Sequence, residues 1–75
     1  MDKRILNKLK ELYNLSNFTF DENKDLYSNY ASQLFNIPYE DCLEFKNGKP
    51  NPIGKQRRQV IKFYVCSSVF GFGMK

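Results

Sequence analysis

Asn51-Pro52-Ile53-Gly54-Lys55-Gln56-Arg57-Arg58-Gln59-Val60-Ile61-Lys62-Phe63-Tyr64-Val65-Cys66-Ser67-Ser68-Val69-Phe70-Gly71-Phe72-Gly73 is the stretch that decides the fold. It reads as one long helix. Asn51 is a favourable N-cap, and Pro52 suits the first helical position, where its missing N–H would have no intrahelical partner. Gly71 and Gly73 can take the positive φ that closes a helix. Between these ends Arg58, Lys62, Cys66 and Phe70 recur every four residues, so on a helix they form one slowly drifting stripe. Ile61, Val65 and Ser68, with Tyr64, fall on a neighbouring face expected to pack inward. A cationic stripe beside an apolar one describes a helix that packs on one side and meets phosphate on the other.

The segments upstream supply the packing partners. Lys46-Asn47-Gly48-Lys49 carries Asn-Gly, a tight-turn pair, and predicts a small hairpin or an open loop. Pro38-Tyr39-Glu40-Asp41 begins a short third helix, with Cys42, Leu43 and Phe45 apolar. Residues 22–36 read as the second helix, with Leu26, Tyr27, Tyr30, Ala31, Leu34 and Phe35 as its apolar stripe. Asp21, Glu22 and Asp25 lie near its start, where acids complement the helix dipole. Asn36 and Pro38 end it. Residues 2–13 read as the first helix, with Ile5, Leu6, Leu9, Leu12 and Tyr13 at helical spacing. The connection from Leu15 to Phe20 is expected to tuck Phe18 and Phe20 back onto the helices. The expected fold is all-α or nearly so: one small domain over residues 1–75, a bundle of three to four helices with a short turn or hairpin before the last.

A chain of 75 residues makes one domain with little margin of stability. Its seven Phe and five Tyr are large enough to supply much of the buried area. Charge is segregated. Residues 1–44 carry five Lys or Arg against eight Asp or Glu, whereas residues 45–75 carry seven basic residues and no acid. The basic half is the place to meet an anion such as nucleic acid or nucleotide phosphate.

Other chemistry has little support. There is no His for general-base work, and two cysteines, Cys42 and Cys66, are too few for a zinc site. They are expected as reduced thiols. Glu40, Asp41 and Glu44 read as a solvated turn rather than a metal site. The chain has no signal peptide and no run of about 18 apolar residues, so a cytoplasmic location without membrane partners is expected. From composition alone a Lys/Arg run on a helix is a solvated face. The spacing of this run, and the segments before it, change the reading.

Arg58, Lys62, Cys66, Phe70 and Gly71 resemble, in matching register, the fingers helix of family A DNA polymerases: Arg, three residues, Lys, an aromatic or Leu, then Tyr-Gly. The segment Lys24-Asp25-Leu26-Tyr27-Ser28-Asn29-Tyr30-Ala31-Ser32-Gln33-Leu34-Phe35 is similar to the one that precedes that helix in phage-type members. Pro38-Tyr39-Glu40-Asp41 and Lys46-Asn47-Gly48-Lys49 are similar to phage-type polymerase text as well. Arg4-Ile5-Leu6 resembles the residues that follow the first catalytic motif. The resemblance thus covers nearly the whole chain in order.

It implies a module that binds DNA or nucleotide phosphates. Arg58 and Lys62 would be the triphosphate contacts, with Lys55 and Arg57 as further phosphate-binding cations. Phe70 and Gly71 would lie by the templating base. Cys66 stands where the family has an aromatic or Leu, and Phe70 where Tyr is usual. The carboxylates that hold Mg²⁺ fall outside the matched segment, and Asp2 follows the catalytic position rather than filling it. No catalytic residue, metal ligand or cofactor is therefore expected. The chain would serve an enzyme only as a fragment or subunit of a DNA-directed DNA polymerase, completed by a separate palm chain and its Mg²⁺. The alternative is a phage or mobile-element protein–protein module that inhibits a host nucleic-acid enzyme on a polymerase-derived scaffold. Phe63, Phe70 and Phe72, if exposed, would favour self-association.

Overall fold

The computed structural model describes residues 2–71. Three α-helices, α1 (Lys3–Leu15), α2 (Leu26–Phe35) and α3 (Pro52–Phe70), pack around one core. A 3-10 turn at Tyr39–Cys42 and a hairpin of β1 (Phe45–Lys46) with β2 (Lys49–Pro50) join α2 to α3. The nearly all-α expectation is met. The hairpin is antiparallel, with Phe45 opposite Pro50 and Lys46 opposite Lys49. Asn47 and Gly48 turn it with φ of 54° and 76°, the double left-handed geometry that Asn-Gly adopts at low cost.

α1 runs two residues beyond the expected 2–13 and is capped by the Asp2 carboxylate, which accepts from the Arg4 N–H at 2.7 Å. α2 departs further. It was expected over 22–36 and begins only at Leu26. Three acids compete for its cap, and Asp25 takes it, accepting from the Ser28 N–H at 2.9 Å. Asp21 instead closes a turn by accepting from the Asn23 N–H at 3.0 Å. Asp21 and Glu22 therefore sit outside the helix. Asn36, with φ of 58°, ends α2 as expected. Leu34 and Phe35, placed in the apolar stripe by spacing, are 49% and 41% exposed, since the buried part of α2 ends at Ala31.

The core consists of Leu9, Leu12 and Tyr13 from α1, Leu26, Tyr27, Tyr30 and Ala31 from α2, Cys42, and Ile61 and Val65 from α3. Phe18 and Phe20 tuck back onto it as expected. Tyr13 meets Phe20 and Tyr30 edge to face at 5.3 and 5.2 Å, and Phe18 meets Tyr30 at 5.1 Å. Such geometry adds to area burial because ring edges are positive and faces negative. The Tyr13 hydroxyl is satisfied by donating to the Leu26 carbonyl. The connection between α1 and α2 is stitched down by amides: the Thr19 N–H donates to Gln33 Oε1 at 2.8 Å, and Asn29 Nδ2 and Gln33 Nε2 donate to the Thr19 carbonyl.

α3 buries Gly54, Ile61 and Val65. Gly54 is a packing requirement, since a Cβ there would collide with the Leu43 carbonyl oxygen and the Asn51 amide. Asn51 holds the N-cap position, but its side chain does not cap. It donates through Nδ2 to the Leu43 carbonyl at 3.0 Å and so ties the start of α3 to the 3-10 turn. Gly71, with φ of 72°, closes the helix; Phe72 and Gly73 lie outside the described residues. Tyr64 and Ser68, expected to face inward, are exposed. Tyr64 falls on the flank beyond the core-facing arc, and Ser68 returns its hydroxyl to the Tyr64 carbonyl at 3.0 Å. Among the described residues no helix is long and apolar enough to cross a membrane.

Candidate nucleic-acid interface

α3 carries Lys55, Arg57, Arg58 and Lys62 and no acid. The fold treats these four cations differently. Arg58 is half-buried and forked onto Asp25, with Nε donating to Oδ2 at 2.9 Å and Nη2 to Oδ1 at 3.3 Å. Its guanidinium also lies 5.1 Å from the centre of the Tyr27 ring. Burial works against charge on Asp25, but the bonds from Arg58 and from Ser28 outweigh it and hold the carboxyl below the usual carboxylate range. The same bond to Asp25 raises Arg58 further above its already high value. Arg57 donates from Nη1 to the Asp41 carbonyl at 2.8 Å, while the Asp41 carboxylate holds the Lys46 ammonium. Both arginines thus brace α3 against neighbouring elements.

Lys55 and Lys62 are exposed and, among the described residues, form no ion pair. Seven residues apart, they lie two turns, or about 10 Å, along one edge of the helix. The four predicted phosphate contacts are therefore brought onto one helix but divided into two bracing arginines and two open lysines. The predicted base-stacking residues separate from them. The Phe70 ring is half-buried with the Arg4 guanidinium 4.7 Å from its centre, and Gly71 is the exposed helix cap.

The surface of α3 that faces away from the core was not legible as a site. An open groove of about 490 Å³ runs along it, lined by Gln56, Gln59, Val60, Lys62, Phe63 and Cys66. Phe63 is 64% exposed. At about 100° per residue, Lys55 and Lys62 fall on one flank of this surface and Ile53, Val60 and Tyr64 on the other, with Gln56, Gln59 and Phe63 between them. A helical projection opposite Ile61 and Val65 was the available signal for this set. Asp25, the partner of Arg58, had no such signal, since the two lie 33 residues apart.

Cys42 is fully buried, and that burial pushes its thiol up, away from the reactive thiolate. Cys66 is half-buried, and neither cysteine forms a disulfide. Among the described residues no group of three His, Cys, Asp or Glu side chains is placed to hold a metal ion. Of the aromatics expected to mediate self-association, Phe63 is exposed, Phe70 is half-buried and Phe72 lies outside the described residues. Comparison with family models, with curated proteins and with solved structures returned no match.

Proposed function

We propose that this chain is a module that binds DNA or nucleotide phosphates through α3, similar to the fingers of a family A DNA polymerase and without catalytic carboxylates of its own. The observation that carries the reading is the exposed pair Lys55 and Lys62 on a helix without acids, unpaired among the described residues while Arg57 and Arg58 hold the helix in place. Ammonium groups spaced along a rigid rod attract phosphates and release condensed counterions on contact. The ordered resemblance of residues 24–35, 38–41, 46–49 and 58–71 to polymerase fingers supports the same reading. Arg58 then serves as the brace that aims Lys62 outward.

The test is fluorescence anisotropy of labelled single-stranded and primer–template DNA at two salt concentrations, repeated with Lys55→Ala/Lys62→Ala. Salt-sensitive binding that the double variant weakens is expected. Absence of binding at low salt would refute the reading.

A second reading has its own observation. Ile53, Val60 and Tyr64 are each more than half exposed along the flank of α3 opposite the lysines, an apolar edge of the kind protein partners cover. On this reading the chain is a protein–protein module, for instance an inhibitor of a host nucleic-acid enzyme or a subunit that docks on a separate palm chain. A partner retained from lysate after nuclease treatment, and lost on Val60→Asp, would favour it.

A further inference from the structure

We infer that the ligand of the outer face of α3 is a single-stranded nucleic acid, gripped by a base stacked on Phe63 and by backbone phosphates on Lys55 and Lys62. This deepens the reading above and rests on it. Phe63 is 64% exposed and lines the same groove as Lys62, and that lining includes no acid. Gln56 and Gln59 line the same groove and bring amide donors and acceptors to the edge of a stacked base. Cation, aromatic face and amide in one groove are the components by which single strands are held: a charged track for the backbone and a ring for the bases.

The alternatives fit less of the surface. Bases in a duplex are already stacked on one another and leave Phe63 unused. A free triphosphate would occupy the lysines and leave the ring and the amides without a role. A second copy seated on this groove would bring two basic α3 helices together with no acid on either to offset them. Arg58 is absent from the contact because Asp25 already fills its fork.

The decisive experiment compares a labelled oligothymidylate with an abasic strand of the same length, for the native chain and for Phe63→Ala. Phe63 is exposed, and circular dichroism checks that the variant keeps its helices. The expected result is tighter binding of the strand with bases, weakened about 5- to 150-fold by Phe63→Ala, the range one stacked base supplies, with the abasic strand unaffected. The chain contains no Trp, so Phe63→Trp places a single indole in the groove. Its emission is expected to fall with oligothymidylate and not with the abasic strand or a nucleoside triphosphate. If Lys55→Ala/Lys62→Ala weakens binding while Phe63→Ala does not, the inference falls and the phosphate-binding module stands. If neither strand binds at low salt, both fall.

Discussion

Arg58 and Lys62 sit one turn apart on the same helix, belong to the same motif and carry the same charge, yet the fold gives them different work. Arg58 is forked onto a carboxylate, lies by a tyrosine ring and is half-buried. Lys62 stands in solvent at the rim of a groove. Spacing alone makes them equivalent. What separates them is how far each lies from the buried arc of Gly54, Ile61 and Val65. A cation at the edge of that arc meets a neighbouring element and becomes a brace, and one turned further out stays available to a ligand. A motif on a helix is thus divided by the core it rests on.

The contrast between the two sides of α3 can be attacked directly. Ile61→Ala removes a fully buried side chain and is expected to cost about 2–5 kcal/mol in a urea unfolding curve, while Val60→Ala, its neighbour on the outer side, should stay within about 0.5 kcal/mol. Equal losses would erase the distinction. Asp25→Ala removes the α2 cap and strands Arg58 at once. Allowing for solvent screening of a partly exposed pair, about 1–2 kcal/mol is expected, with the denaturant midpoint as the measurement.

The same pair gives a pH signature. The folded-state pKa of Asp25 is lowered, so its contribution is fully present above the ordinary carboxylate range and is lost as pH falls through that range and below it. Asp25→Asn should flatten that part of the stability profile, and an unchanged acid limb would show the pair to be weak. The smallest effect on stability belongs to Lys55→Ala and Lys62→Ala, each within about 0.5 kcal/mol. Each should instead lower the slope of log affinity against log salt by about 0.7 for a single strand.

Much of the fold was legible because its punctuation is local. Asn36, the Asn47-Gly48 pair, Pro52 and Gly71 each act through their own backbone preferences, and each marks the boundary that it announced. The start of α2 was not, because Asp21, Glu22 and Asp25 are all acceptable near a helix start. The choice rests on partners far along the chain: Arg58, and the Tyr39 hydroxyl that accepts from the Asp25 N–H at 2.8 Å. Tyr64 shows a similar limit. Three residues from Ile61, it shares the spacing of a core position, but the arc that α1 and α2 cover stops short of it. In the candidate site the cations could be read from their letters, whereas the partners that occupy Arg57 and Arg58 exist only once the chain is folded.

Asp25 has a consequence for how the domain opens. One carboxylate accepts from the Ser28 amide in the first turn of α2 and from the guanidinium of Arg58 on α3. Fraying of the first turn of α2 and undocking of α3 are therefore not independent fluctuations. In hydrogen exchange, the Ser28 amide should become labile in step with the amides around Arg58, so that two helices distant in sequence behave as one opening unit.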